Sequence, residues 1–153
     1  MVQMKAAVIY EAGGPDVLKI ENRPIPTSND GQVLIRVKAF GLNRSELFTR
    51  QGHSPNVKFP RILGIEAVGI VEDAPGTNLS KGDIVVTVMG GMGRTFDGSY
   101  AEYTCVPALS QLRDVGSDMV ISDAEDATGT VPTPPFRGAR DRAVREVVFA
   151  VLP

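Results

Sequence analysis

The 153-residue sequence has a single cysteine, no long apolar run and no excess of basic residues. With Cys105 alone, an internal disulfide and a multi-cysteine zinc site are both excluded. The longest apolar runs, such as 84–89 and 147–152, are far shorter than the roughly 20 residues that span a bilayer. The net charge of −2 is unlike the basic footprint of nucleic-acid-binding proteins. These features predict a cytoplasmic protein with no membrane or nucleic-acid partner.

Short strands separated by turn residues fill the first two thirds of the chain. In segment 33–40, Val33, Ile35 and Val37 alternate with more polar positions, which indicates a strand with one buried face. Such regularly spaced short strands are typical of a β-barrel or sandwich rather than of alternating βαβ units. The predicted strands are 5–11, 17–22, 33–40, 67–72, 83–88 and 99–106. The predicted core comprises Ala7, Ile9, Val33, Ile35, Val37, Leu47, Ile70, Val85 and Tyr103.

One segment, residues 43–52, has the pattern of a short helix. Asn43 is a suitable N-cap, and Glu46, three residues later, can complete a capping box. Gly52 supplies the left-handed residue that often ends a helix. The sequence therefore predicts a helix at about 43–51 within an otherwise β-rich region.

The composition changes after Pro107. All five lysines precede residue 82, and the proline-rich segment 130–135 is incompatible with regular secondary structure. Around it, residues 111–114 are predicted to end a helix, and 118–123 and 145–152 to form strands. We therefore predict one domain over 1–107 and a separate segment over 108–153.

Four motifs follow one another in a recognisable order and spacing, namely 41–52, 60–72, 82–86 and 96–103. Together they resemble the N-terminal GroES-like catalytic domain of medium-chain dehydrogenase/reductases, over about residues 4–107, and most of all the zinc-independent quinone oxidoreductases. The resemblance implies a mainly β fold, a GroES-like irregular β-barrel with one or two short helices. It also implies NADPH as cofactor and a small quinone or α,β-unsaturated carbonyl as substrate. Residues 108–153 would then be a nucleotide-binding-domain remnant, αβ-like or irregular.

Two substitutions argue against zinc. The zinc-dependent branch has a cysteine at the position of Asn43 and a histidine at the position of Ile65. An amide is a poor zinc ligand and isoleucine has no donor atom, while Glu66 alone does not hold a catalytic zinc. We therefore predict no metal site.

The resemblance also implies site residues. Asn43 would lie near the nicotinamide and the substrate carbonyl, where its amide N–H stabilises a developing enolate oxygen. Glu46, at the position of the usual aspartate, and Arg50 complete the predicted cofactor-binding set. The alternative is structural, because Asn43 and Glu46 are also explained as a capping box and Arg50 as a solvated side chain. Tyr100 is expected to pack in the core rather than to stack on a ligand.

A phosphate-binding glycine turn is missing from the sequence. A nicotinamide reductase needs a Gly-x-Gly-x-x-Gly-type turn between a strand and a helix. The only glycine cluster, residues 90–94, is predicted to be a loop that leads into a strand. Segment 111–123 resembles the interior of a cofactor domain, as if a block had been removed between 107 and 111. The alternative is an unrelated tail.

Three hypotheses for function follow. The first is a truncated zinc-independent NADPH-dependent reductase of quinones or α,β-unsaturated carbonyls, weak or inactive alone. The second is a non-catalytic GroES-like binding or assembly module, and the third is a degenerate remnant. In each case, surface around Asn43, Glu66 and the 90–94 loop is predicted to be exposed, which makes a homodimer plausible.

Overall fold

A computed structural model describes residues 2–108 and, beyond them, the backbone of 113–114 and 149–150. This part of the chain is mainly β with one short α-helix, as predicted. The strands are β1 (Gln3–Ile9), β2 (Lys19–Pro24), β3 (Gln32–Gly41), β4 (Arg61–Ile62), β5 (Glu66–Asp73), β6 (Ile84–Val88), β7 (Tyr103–Pro107), β8 (Arg113–Asp114) and β9 (Phe149–Ala150). Helix α1 spans Arg44–Arg50, and a 3₁₀ turn spans Pro15–Val17.

The strands form two antiparallel arrangements. A three-stranded sheet has the order β2-β1-β4, and a larger sheet has the order β7-β3-β5-β6-β8. The register of β1 with β2 runs from Gln3 opposite Pro24 to Val8 opposite Lys19, so these two strands form an antiparallel hairpin. Strand β3 has the most partners, because it pairs with β5, β7 and, at Phe40 and Gly41, β9.

The two sheets are joined where the chain enters β7. Ala101 forms an isolated antiparallel bridge with Ala6, and the N–H of Ala7 donates to the carbonyl of Tyr100 at 2.8 Å. The strand predicted at 99–106 therefore begins later, at Tyr103. Residues 99–102 leave the ladder because they cross from one sheet to the other.

Two apolar clusters form the core. The larger lies within the larger sheet and the smaller lies beneath the three-stranded sheet. The first contains Val33, Ile35, Ala67, Val71, Val85, Met92 and Val106, and the second Met4, Ala6, Val8, Ile62 and Ala101. Ile9, Val33, Ile35 and Val85 are buried as the sequence predicts.

The other core predictions were wrong. Some of these residues lie on the outer face of their strand, and others are less buried than expected. Ala7, Val37, Ile70 and Tyr103 are only half-buried, and Leu47 is 40% exposed. In β5, Ala67 and Val71 face the core instead of Ile70. Ile70 lies on the outer face of β5 together with Glu72. The Glu72 carboxylate pairs there with Arg36 and Lys81. A shift of one residue moves every side chain of a strand to the other face.

Two short strands lie beyond residue 108. Arg113 and Asp114 pair with Val86 and Val85, so the helix end predicted at 111–114 is wrong for these two residues. Strand β9 falls within the terminal strand predicted at 145–152. The strand predicted at 118–123 lies outside the described residues. None of the described helices has the length and apolar character needed to cross a bilayer.

Candidate functional site

Helix α1 begins at the end of β3, where the chain turns at Asn43. The backbone of Asn43 is extended, with φ −111° and ψ 145°, which is the usual conformation of an N-cap residue. Its N–H donates to Glu46 Oε2 at 2.7 Å. The predicted capping box is present, and it fixes the direction in which the helix leaves the sheet.

The Glu46 carboxylate is the centre of a buried hydrogen-bond network. The residue is 3% exposed. Besides the N–H of Asn43, the carboxylate accepts the N–H of Ile65 on Oε1 at 2.8 Å and the hydroxyl of Tyr100 on Oε2. Three donors compensate for the water that this carboxylate has lost. The network ties the start of α1 to two of the four sequence motifs.

Tyr100 is the member of this network that the sequence analysis missed. Its ring packs against Phe40, with centroids 4.8 Å apart, which agrees with the expected packing role. Burial, and then the hydrogen bond to Glu46, raise the pKa of the Tyr100 hydroxyl far above its usual value. The hydroxyl therefore remains a donor at neutral pH. A buried tyrosine hydroxyl usually has a hydrogen-bond partner, and this rule could have indicated that Tyr100 bonds to a polar group.

The side-chain amide of Asn43, unlike its backbone N–H, is left without a hydrogen-bond acceptor in the described part of the chain. Nδ2 is buried and has no hydrogen-bond partner in the described part of the chain. The Glu66 carboxylate lies close by, on the same side of Gly41 as this amide. A Cβ atom added to Gly41 would lie 1.8 Å from Glu66 Oε1 and 3.5 Å from Asn43 Nδ2. The bare Cα of Gly41 therefore leaves room for a carboxylate and an unpaired amide donor side by side.

A small cavity of about 170 Å³ adjoins this point. Its walls come from the end of β3 and the outer faces of β5 and β6, and they are mostly apolar. The lining residues are Phe40, Gly41, Glu66, Ala67, Val68, Val86, Thr87 and Val88. Among the described lining residues, Glu66 is the only one with an ionisable side chain.

Arg50 lies at the other end of α1. It is 8% exposed, and its Nη1 donates to the carbonyl of Gly13 at 2.6 Å, while the N–H of Gly13 donates to the Arg50 carbonyl at 2.9 Å. The structure thus brings Asn43 and Glu46 together and places Arg50 against the loop after β1. Arg50 is buried rather than solvated, and contact with a cofactor stays a prediction for all three residues.

The glycine cluster at 90–94 is a loop, as predicted. Gly90, Gly91 and Gly93 have positive φ values. A Cβ added to Gly93 would lie 2.7 Å from the Gly64 carbonyl oxygen. The glycines are therefore explained by backbone conformation and by close packing against the chain before β5.

Metal-binding side chains are not grouped in the part of the chain that the structure covers. Among residues 2–108, no three His, Cys, Asp or Glu side chains lie close enough to hold a metal ion. Residue 43 is an asparagine and residue 65 an isoleucine, which has no donor atom. Next to Gly41, the described side chains that could face a metal are the Asn43 amide and the Glu66 carboxylate.

Comparison with known proteins agrees with this architecture. Residues 29–115 match the alcohol dehydrogenase GroES-like domain. The quinone oxidoreductase of Sus scrofa is 40% identical over 105 residues, which cover 65% of this chain and 30% of that protein. The crystal structure of the human synaptic vesicle membrane protein VAT-1 homolog-like protein is 32% identical, with a TM-score of 0.69, and covers 80% of this chain and 38% of that one. A mycobacterial structure complexed with NADPH is 33% identical, with a TM-score of 0.66, and covers 76% of this chain and 34% of that one.

The fold and the site together define an oxidoreductase-like GroES domain. The chain belongs to the medium-chain dehydrogenase/reductase family. It spans about a third of the length of the relatives that it matches.

Proposed function

We propose that this domain provides the substrate-side wall of a zinc-independent, NADPH-dependent reductase of quinones or α,β-unsaturated carbonyls. The observation that carries the proposal is the Asn43 side-chain amide, which is buried, lacks a partner among the described residues and lies next to Gly41, a lining residue of a small, mostly apolar cavity. A buried donor without a partner is costly, and a ligand oxygen is a suitable partner for it.

The residues around Asn43 fit the reacting end of the cofactor and substrate. NADPH supplies a hydride when it is bound. Asn43 Nδ2 would donate to the substrate oxygen and stabilise the negative charge that develops there. The Glu46 network holds the start of α1, and with it the Asn43 backbone, through the 2.7 Å bond. The mostly apolar walls of the cavity would favour contact with the apolar part of the substrate.

The residues do not fit the phosphate end of the cofactor equally well. The 153-residue sequence has no Gly-x-Gly-x-x-Gly turn, and the 90–94 glycines are used in packing. We therefore expect these 153 residues alone to bind NADPH weakly or not at all and to reduce quinones poorly. In the same proposal, residues 108–153 are a remnant of a nucleotide-binding domain, and the protein is cytoplasmic and able to form a homodimer.

The test is a titration with cyclohexanone, a small ketone that does not alkylate thiols, followed by amide NMR. The Asn43 side-chain NH₂ signals should shift saturably, and Asn43→Ala should abolish saturable binding. Asn78→Ala, at an exposed turn, is the matched control and should leave binding unchanged. Unchanged Asn43 signals at saturating ketone would refute the proposed role of this amide.

Two further measurements address the cofactor and the metal. NADPH fluorescence should show weak or no saturable binding, and quinone turnover of tens per second at micromolar NADPH would contradict the expectation of weak activity. Elemental analysis should give no stoichiometric zinc, and a chelator should leave the melting temperature unchanged.

A non-catalytic GroES-like binding module is the second candidate, and the missing glycine turn is the observation that favours it. The two candidate functions predict different results in the cyclohexanone titration. A module without chemistry has no reason to bind a carbonyl at Asn43, whereas the reductase wall requires it.

A further inference from the structure

The Glu66 side chain stands out because its carboxylate has no partner among the residues that the structure describes. The Glu66 carbonyl oxygen accepts the Ser99 hydroxyl at 2.6 Å, which fixes the backbone at the start of β5. Within residues 2–108, by contrast, no hydrogen bond or ion pair reaches the Glu66 carboxylate. The other glutamate of β5, Glu72, is held by Arg36 and Lys81 at 2.9 Å each.

The position of this carboxylate makes it part of the cavity described above. Glu66 lines the cavity together with Phe40, Val68, Val86 and Val88. Apolar walls strengthen the field of a charge, because less water is available to screen it. A ligand that enters this space therefore meets one negative charge within a largely apolar surface.

The neighbouring amide completes the recognition pattern. Glu66 Oε1 and Asn43 Nδ2 lie on the same side of Gly41, 1.8 Å and 3.5 Å from the point where a Cβ atom would stand. The amide needs an acceptor, whereas the carboxylate needs a hydrogen-bond donor or a cation. A carbonyl compound with a hydroxyl or N–H next to its oxygen satisfies both groups at once.

We infer that Glu66 is the specificity-determining residue of this cavity, selecting small neutral or cationic ligands with a donor next to a carbonyl oxygen and excluding anions. The inference rests on the proposed function for the carbonyl, but selection by charge follows from Glu66 alone. The 170 Å³ volume restricts the ligand to about one small ring, since pockets for drug-sized ligands are typically about 300–1,000 Å³.

Four six-membered-ring probes separate charge from shape. They are cyclohexanone, 2-hydroxycyclohexanone, the anion 4-oxocyclohexanecarboxylate and the cation cyclohexylammonium. Their dissociation constants are measured by amide NMR on the full chain without NADPH, at about 0.1 M salt, where the Debye length is about 10 Å. The anion should bind about tenfold more weakly than cyclohexanone, and 2-hydroxycyclohexanone several-fold more tightly.

Two variants and one control test the role of the carboxylate. In Glu66→Gln, the anion and the neutral ketone should bind within about twofold of each other, and cyclohexylammonium should lose its binding. Glu72→Gln removes the same charge from the same strand, about 20 Å away at 3.3 Å per residue, and should leave all four constants unchanged. Gly41→Ala places a methyl group against the carboxylate and should weaken selection between the probes while the fold is retained.

The outcomes distinguish this inference from the proposed function. An anion that binds the unmodified protein as well as cyclohexanone does, or a charge preference that survives Glu66→Gln, overturns the inference and leaves the proposed function standing. If cyclohexanone does not shift the Asn43 signals but cyclohexylammonium binds in a Glu66-dependent way, the proposed function fails and charge selection holds. If no probe binds, both are refuted.

Discussion

The strands and the helix bury opposite kinds of side chain. In the strands, most buried positions are apolar, as with Val33 and Ile35 of β3, and the buried polar ones are the threonines Thr87 and Thr104. In α1, the buried residues are Glu46, Thr49 and Arg50, whereas Leu47 and Phe48 are 40% and 41% exposed. The strands are held by burial of apolar area, and α1 is held by polar contacts with other parts of the chain.

This difference bears on how the candidate site is positioned. A helix stabilised by hydrogen bonds has a fixed direction, since each bond requires a particular geometry. Glu46 joins α1 to Ile65 and Tyr100, and Arg50 joins it to Gly13. The Asn43 backbone is therefore positioned from both ends of the helix, while the apolar residues of α1 remain on the surface.

The largest expected effect concerns the strands. Ile35→Ala should lower the free energy of unfolding by about 2–5 kcal/mol, because it leaves a cavity in the larger cluster. Ile70→Ala, on the half-buried face of β5, should cost about 1 kcal/mol or less. Urea denaturation of both variants measures the difference. Equal losses would mean that the two faces of the sheet are packed equally well.

The second effect concerns the polar anchor of the helix. Glu46→Gln keeps the shape but replaces one acceptor oxygen with a donor facing the network, and it should destabilise the protein by about 1–3 kcal/mol. Glu11→Gln removes the same charge at an exposed position and serves as control. Urea midpoints that are equal for the two variants would show that the Glu46 network contributes nothing to stability.

A smaller effect is tied to pH. Tyr100→Phe should cost about 1 kcal/mol at pH 7, because one hydrogen bond to Glu46 is lost. The pKa of Tyr100 is raised in the folded state, so the unfolded state loses its proton first as the pH rises above about 10. The difference in unfolding free energy between the unmodified protein and the Phe variant is therefore full below pH 10 and becomes smaller above it. Thermal unfolding of both proteins from pH 7 to 11 measures this; a constant difference would contradict it.

The smallest effect is expected at Leu47. Leu47→Ala removes an apolar side chain that is 40% exposed, and the unfolding free energy should change by about 0.5 kcal/mol or less. Urea denaturation alongside Ile35→Ala provides the scale. A loss comparable with that of Ile35→Ala would restore Leu47 to the core, where the sequence analysis had placed it.

Local patterns predicted the elements well and the burial less well. The Asn43–Glu46 spacing acts between near neighbours and was confirmed. The period-two alternation of β3 was confirmed at Val33 and Ile35 but not beyond, where the register with β5 shifts between Val37 and Ala39 and Phe40 is buried. The buried face of β5 was mispredicted at Ile70, which shares the outer face of the strand with Glu66 and Glu72. Leu47 was misassigned because helical periodicity favours apolar residues inside, whereas α1 uses polar ones.

The candidate site was predictable only along the chain. Asn43 and Glu46 were found together because three residues separate them in sequence. Tyr100 lies 54 residues from Glu46, and no local pattern relates the two. The closeness of Glu66, Gly41 and Asn43 likewise depends on how β5 pairs with β3.

The pairing of β3 has a consequence for the order of events during protein synthesis. Strand β3 is complete at residue 41, but its neighbour β7 does not begin until residue 103. Until the chain has been made through residue 107, the β3 edge that pairs with β7 is open and Val33 and Ile35 lack part of their cover. Pairing between distant segments is slow, and unpaired edges favour association between chains. A nascent chain that stalls before residue 103 thus presents a free apolar strand to chaperones and to other copies of itself.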